Sequence, residues 1–400
     1  MHRGRSGDSP IRLLQATAFV ATLDRFAMPP ILVAIARGLD VPLGQVVQAA
    51  GIYFLAYGLM QPVWGMVSDW LGLVRTMRLT LLAAAGMTVM AAFVWDPVSL
   101  ALTRGLAGGF FGAAFPSTLI YVGDTVAAKN RQHEVTRLMV GVALGTASAS
   151  VAAGVVADLF TWRAAFVGTG IAALVLTWLL RGLPSPTVRR THTSVWSPLR
   201  LVARSRITLL VLGLAFVEGA VLLGSLTVLP PAVEAAGASA AVAGTVTAAY
   251  GVAVYGFARL VGALSRRYDA AWLIALGGAA ALVACMVMAV SQAPWVATVV
   301  AALLGLAWAG MHSSLQTWAT EVMPDNRATV VSLFAGSLFV GSAVAAVLVS
   351  GLADAGRYGE IFALAAMAVV PLAVVATWSR ARWRAAGKSP VRRREPDIAA

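Results

Sequence analysis

The chain has 400 residues, of which 59% are hydrophobic and only 12% charged, with a mean hydropathy of +0.81. A soluble domain carries about 25% charged residues, so half the usual charge is missing and the solvent of this chain is mostly lipid. The net charge of +13 would suit a nucleic-acid binder, but the bases are placed in a way that argues against one.

Residues 270–320 contain no Asp, Glu, Lys or Arg. One bilayer crossing takes about 20 apolar residues, so this stretch is two crossings folded at Ser291-Gln292-Ala293-Pro294. The same reading predicts twelve spans at 13–36, 46–66, 76–95, 98–122, 137–158, 162–180, 207–232, 239–263, 271–290, 295–320, 328–352 and 359–379. Backbone groups cannot stay unpaired in hydrocarbon, and these runs are too long and unbroken for barrel strands, so the spans are helices. Of the 30 Lys and Arg, Arg25 and Arg104 fall deep inside spans, and Arg37, Arg163 and Arg357 fall at one set of alternating loops. The remaining 25 occupy the tails, the alternate loops and the adjoining span ends. That asymmetry predicts a multi-pass protein of the inner (plasma) membrane with both termini cytoplasmic. The basic linker 181–206 and the RRR at 392–394 read as orientation signals beside anionic lipid, not as a nucleic-acid surface.

In chain order, the first span carries TLDRFAMPP (22–30), with Asp24 and Arg25 side by side in an apolar run. Arg3 and Arg5 before that run mimic a signal peptide, but the charges interrupt it and no clear cleavage site follows, so it reads as a retained helix. Asp24 lies about twelve residues, or ~18 Å, into the helix, near the bilayer middle. It needs a wet cavity, a partner or a proton. Adjacent side chains point ~100° apart, so Asp24 and Arg25 are poor partners for each other. Pro29-Pro30 predicts a kink. On the second span Tyr53, Tyr57 and Gln61 recur every four residues and share a face, which Gln48 extends less regularly. In GMVSDWLGLVR (65–75), Gly65 and Gly72 allow close helix approach and a tight turn, and Asp69 can pair with a base or cap a helix. The fourth span, TRGLAGGFFGAAFP (103–116), places Arg104 in the membrane. A base there costs ~2.5–3.5 kcal/mol on insertion scales and therefore requires a partner, protein or water. Gly108 and Gly112 follow it at intervals of four and read as packing positions.

The linker 181–206 holds three prolines and six arginines, and SPLRLVARS within it suits a short surface helix. Glu218, in LAFVEGAVLLG of the seventh span, is the only acidic residue deep in the second half. The lone cysteine, Cys285, excludes an intrachain disulfide. On the tenth span Trp308, His312 and Gln316 follow at intervals of four. Gly387-Lys388-Ser389 sits in the basic tail without the glycine or strand of a phosphate-binding loop, so the chain is not expected to use ATP.

The chain also repeats itself. VAAKNR (126–131) is echoed by VMPDNR (322–327), Gly145 by Gly341, Asp158 by Asp354 and Phe166 by Phe362, all 196 residues apart. Tyr57-Gly58 is echoed by Tyr255-Gly256. A steady offset indicates a duplicated six-helix unit in parallel topology. The expected division is 1–180, a linker 181–206, 207–380 and a tail 381–400. Over nearly the whole chain these features resemble the major facilitator superfamily. The strongest local match is Gly65, Asp69, Gly72 and Arg75, although Trp70 and Leu73 replace bases common in the family pattern. The resemblance implies an all-α membrane fold of two pseudo-symmetric six-helix halves, with those four residues forming a cytoplasmic gate latch. On the fifth span, Ala149-Ser150 and Ala153-Gly154 keep the small residues of an antiporter motif but lose its proline. The family fold sets helices one and four around one cavity, which makes Arg104 the available base for Asp24. Glu218 would balance Arg25 across the two halves.

The leading functional expectation is a secondary transporter most similar to the drug and metabolite efflux branch, exchanging its substrate for protons. The proton gradient is the expected energy source, and no cofactor or metal is expected. Asp24, Arg104 and Glu218 are the proton-coupling candidates. A carboxylate balanced between desolvation and a nearby base can hold a proton or a cationic substrate by turns. Arg25, Tyr53, Tyr57, Gln61, Trp308, His312 and Gln316 are the substrate-cavity candidates. One alternative is an importer or exchanger of small organic anions, clamped by Arg25 and Arg104. A second is a non-transporting membrane sensor. An enzyme is not expected, because four scattered histidines form no ligand cluster or nucleophile–base pair. The expected partners are the bilayer and a small molecule, with the chain a monomer.

Overall fold

The computed structural model describes residues 8–186 and 196–385. Arg3, Arg5, part of the basic linker, Gly387-Lys388-Ser389 and the RRR of the tail lie outside the described residues. Among the described residues every regular element is helical. Twelve helices are long and apolar enough to cross a bilayer. They are span 1 (Pro10–Leu39), span 2 (Leu43–Leu71), span 3 (Leu73–Ala91), span 4 (Pro97–Thr125), span 5 (Lys129–Leu159) and span 6 (Trp162–Gly182) in the first half. The second half has span 7 (Arg206–Ala235), span 8 (Ala240–Leu264), span 9 (Ala270–Val290), span 10 (Pro294–Val322), span 11 (Pro324–Asp354) and span 12 (Tyr358–Trp383). Between the halves a short helix runs over Trp196–Arg204.

Local chemistry sets where these helices start and bend. Asp96 caps span 4, accepting from the amides of Val98 at 2.9 Å and Ser99 at 3.0 Å. The Ser99 hydroxyl and these amides hold its carboxyl below the usual carboxylate range. Span 1 breaks into a single 3-10 turn at Pro29–Ile31, because proline has no amide to donate and its ring clashes with the preceding turn. Gly72 between spans 2 and 3 has φ +84°, a conformation open to glycine but costly for other residues. Spans 7 and 10 each widen into a π-turn, at Gly219–Leu223 and at Trp308–His312.

The halves repeat each other in contacts as well as in sequence. Gly145 of span 5 lies against the Phe19 carbonyl of span 1, and Gly341 of span 11 lies against the Phe216 carbonyl of span 7. Gly108 of span 4 rests on the Tyr53 carbonyl, and Gly305 of span 10 lies close to the Tyr250 carbonyl. With no water to exclude between helices in lipid, close packing of small residues supplies the attraction.

The most extensive contacts between the halves are span 2 with span 11 and span 5 with span 8, and span 1 also meets spans 7 and 8. Gly44, Gly51 and Gly58 recur every seven residues along span 2, and each lies against span 11, at Ser350, Ala343 and Gly336 in turn. The next glycine of the row, Gly65, has no neighbour in reach of a side chain. On span 8, Gly244 and Gly251 lie against span 5, while Gly256 and Gly262 face open space. The halves therefore touch at one end and splay at the other, which is the face carrying the described chain ends.

Two aspartates hold the closed end. Asp158, at the end of span 5, accepts from the first amides of span 8, Ala240 at 3.2 Å and Ala241 at 2.8 Å. Asp354, at the end of span 11, accepts from the Gly44 amide of span 2 at 2.5 Å. Carboxylates suit helix N-termini, where unpaired amides and the helix dipole attract negative charge. Gln48 adds a bond to the Ser350 hydroxyl at 2.9 Å.

Candidate functional site

Asp24 and Arg104 meet in the middle of the first half. Arg104 donates through Nη1 to Oδ1 at 3.1 Å and through Nη2 to Oδ2 at 3.0 Å. The hydroxyls of Thr88 on span 3 and Thr169 on span 6 donate to Oδ1 at 3.1 and 3.3 Å. The guanidinium lies 4.5 Å from the centre of the Tyr53 ring and 4.7 Å from that of Phe166. Neither charged side chain has any exposed surface. Removing two charges from water is compensated only by good geometry and extra donors, and both are present here. The arrangement is a lock joining spans 1, 3, 4 and 6. Tyr53, expected in the cavity, packs inside this half with 2% of its surface exposed.

Arg25 points elsewhere, as helix geometry requires of the residue after Asp24. Its guanidinium carbon lies 4.9 Å from the Phe26 ring, 5.3 Å from Tyr57 and 5.8 Å from Phe339. Tyr57 belongs to the first half and Phe339 to span 11, so both halves build the cage. The buried Nε of Arg25 has no hydrogen-bond partner among the described residues.

The expectation that Glu218 balances Arg25 is corrected. Glu218 is fully buried, and its Oε2 lies 3.2 Å from His312 Nδ1. Its Oε1 is buried without a hydrogen-bond partner among the described residues. The π-turn over Trp308–His312 stacks rings four residues apart, with centroids 3.8 Å from each other, and this places the imidazole toward Glu218. Rings fill the space between the two sites. Phe26 and Tyr250 have centroids 6.5 Å apart, as do Tyr250 and Trp308. One series, Arg25, Phe26, Tyr250, Trp308, His312, Glu218, thus crosses the half interface.

Other candidates fall apart from this series. Gln61 is half-buried on span 2 and Gln316 is exposed on span 10, both toward the open face. Asp69, Gly72 and Arg75 are exposed at that face, where Gly65 also lies free of span 11. The sequence reading missed Thr88, Thr169, Tyr250 and Phe339. A threonine within a helix usually bonds to its own backbone and carries no signal of a distant carboxylate. Asp158 and Asp354 were visible as repeats, without their role.

Two six-helix halves around a central interface that carries a caged cation and a buried acid–imidazole pair define a membrane transporter of the secondary type. The sequence profile described as Major Facilitator Superfamily matches residues 15–346 and, in a second match, 223–398. The chain belongs to that superfamily. It resembles the 3-(3-hydroxy-phenyl)propionate transporter of Escherichia coli (strain K12), with 29% identity over 188 residues that cover 42% of this chain. The match spans 46% of that protein, about half its length. The nucleoside transporter NupG superposes with a TM-score of 0.79 at 14% identity, over 92% of this chain and 99% of that one. A bacterial homologue of the human lysosomal transporter Spinster, solved inward-facing and occupied, gives 0.76 at 17% identity, over 93% and 96% of the two chains.

Proposed function

We propose that this secondary transporter carries small aromatic carboxylates, with Arg25 as the anchor for the carboxylate. The observation that carries this reading is the caged Arg25 at the interface of the halves, which has no carboxylate partner among the described residues. A cation there needs an anion, and the rings of Phe26, Tyr57 and Phe339 suit an aromatic body next to one. The partial likeness to a hydroxyphenylpropionate transporter supports the same substrate class. The leading sequence expectation was proton-coupled efflux of a drug or metabolite, and for a cationic substrate of that kind the geometry offers little. Such a substrate needs an accessible carboxylate, whereas Asp24 is paired with Arg104 and Glu218 is fully buried beside His312. The positive-inside pattern assigns the open face to the cytoplasm, which makes this conformation the inward-facing one.

The test is counterflow in proteoliposomes loaded with unlabelled 3-(3-hydroxyphenyl)propionate. Labelled substrate is offered outside, against an aliphatic carboxylate, a nucleoside and a lipophilic cation as competitors. The reading predicts that aromatic carboxylates exchange and compete. Exchange that only the nucleoside or the cation blocks would overturn it.

A further inference from the structure

The repeat of Tyr57-Gly58 as Tyr255-Gly256 has a counterpart in three dimensions. Tyr57 stands 14 residues beyond Leu43, where span 2 begins, and Tyr255 stands 15 beyond Ala240, where span 8 begins. The two spans run the same way, so the two rings lie at nearly one depth in the membrane. Each ring carries a guanidinium. The carbon of Arg25 lies 5.3 Å from the Tyr57 ring, and that of Arg259, one turn along span 8, lies 4.6 Å from the Tyr255 ring. The duplicated scaffold does not require a base at either place. Val221 repeats Arg25 at the offset of 196, and Gln61 stands to Arg259 as Tyr57 does to Tyr255, 198 residues away.

Arg259 and Tyr255 are both exposed, and the guanidinium donates to the Tyr255 hydroxyl. Five residues separate Arg259 from the end of span 8 at Leu264, ~8 Å along the helix. A base inside a span faces water or a partner, and no carboxylate pairs with this one among the described residues. The acid on the cytoplasmic part of span 5, Glu134, is taken by Arg137 at 3.2 Å. Gly251, Tyr255 and Arg259 follow at intervals of four along span 8, and Gly251 still touches span 5 at Ala147. Gly256 and Gly262, further along, meet nothing. The pair therefore stands where spans 5 and 8 part, with Arg259 one turn (~6 Å) nearer the cytoplasm than the tyrosine rings.

We propose that Arg259 and Tyr255 form a second carboxylate site, which the substrate occupies on its passage between Arg25 and the cytoplasm. This rests on the anion reading. The guanidinium keeps further N–H donors beyond the one given to Tyr255, and the phenol keeps its own O–H. The pair can thus donate to both oxygens of a carboxylate, with the ring beside an aromatic body. Water around the exposed pair screens its charge, so it holds the anion roughly 10–100-fold more weakly than the partly buried Arg25 does. A weak station suits an exit, where a tight one would retain the substrate. A phospholipid headgroup offers the same oxyanion chemistry, and the membrane composition separates the two sources.

The test is equilibrium binding of labelled 3-(3-hydroxyphenyl)propionate to the full chain in phosphatidylcholine nanodiscs. Wild type is expected to bind a tight and a weak carboxylate. Arg259→Gln should lose the weak one, Arg259→Lys should keep it in part, and Arg25→Gln should lose the tight one and keep the weak. The weak site is also read alone, in a Gly262→Cys/Arg25→Gln carrier, whose native Cys285 is buried. There the substrate should slow the reaction of the new thiol with an anionic reagent, and adding Arg259→Gln should abolish that protection. A single tight site in wild type, lost in Arg25→Gln and untouched by Arg259→Gln, overturns the proposal and leaves the anion reading standing. A tight site that survives Arg25→Gln, beside a weak one lost in Arg259→Gln, overturns the role of Arg25 and upholds that of Arg259. Weak binding that vanishes when phosphatidylglycerol replaces part of the phosphatidylcholine gives Arg259 to a lipid headgroup and overturns the substrate assignment. No saturable binding to wild type overturns both readings.

Discussion

Asp24 and Arg25 are neighbours in sequence with separate tasks, and one helix step of ~100° separates them. Asp24 turns into its own half and is saturated; Arg25 turns to the interface and is not. The two should fail differently. Arg104→Ala leaves Asp24 buried and uncompensated, and removing one partner of a buried pair costs ~3–5 kcal/mol. Thermal unfolding in detergent should show a large loss of stability, and the double variant Asp24→Asn/Arg104→Gln should recover most of it. Equal losses in the single and double variants would contradict the lock. The depth of Asp24 and its available base were legible in the sequence, because of the two bases deep in that half Arg25 is its poorly placed neighbour and Arg104 lies on the helix that the family fold sets beside span 1. Its threonine partners were not, since they come from helices whose rotation no periodicity reports. Glu218 was legible as a buried acid, but its partner was not. The sequence reading gave His312 to the cavity and Glu218 to Arg25, and a π-turn, invisible in composition, brought the two together.

Helices were more legible than contacts. The twelve spans were expected within a few residues of where they lie, because long apolar runs have few other solutions. Span 5 begins earlier than its apolar run, since the polar turn around Lys129 and Arg131 continues the helix. The glycine row of span 2 has a consequence for its motion. Antiparallel register pairs Gly44, Gly51 and Gly58 with Ser350, Ala343 and Gly336 on span 11. Continued by seven residues on each helix, it brings Gly65 to Thr329 and Ser332, which are separated from it in this conformation. A Gly65→Cys/Ser332→Cys carrier should form a disulfide only when the open face closes, detected as protection from a bulky thiol reagent on adding substrate. Unchanged reactivity would contradict a rocking of the two helices along this seam. At the opposite end each aspartate cap is worth about 1 kcal/mol. Removing both in Asp158→Ala/Asp354→Ala shifts the balance between states by roughly 30-fold. Cysteines placed beside Asp158 should become accessible from the loop face in that variant and stay protected in the parent.

The duplicated halves share a scaffold and divide the chemistry. Small residues close the same helix pairs in each, yet the first half holds a sealed ion pair where the second holds a buried carboxylate–imidazole pair. Among the described residues, Arg25 is the cation caged by rings at the interface between them. The central claim is that Arg25 reads the carboxylate, and the most direct measurement is counterflow of 3-(3-hydroxyphenyl)propionate by wild type, Arg25→Lys and Arg25→Gln at matched protein levels. Hydrogen bonds to a charged group are worth about 1.5–3 kcal/mol, so Arg25→Gln should raise the half-saturating concentration by roughly 10–100-fold. Arg25→Lys should lie between it and wild type, and any loss of thermal stability in Arg25→Gln should stay within the ~0.5–2 kcal/mol of a cation–ring contact, well below the loss in Arg104→Ala. Counterflow by Arg25→Gln with wild-type affinity would contradict the account.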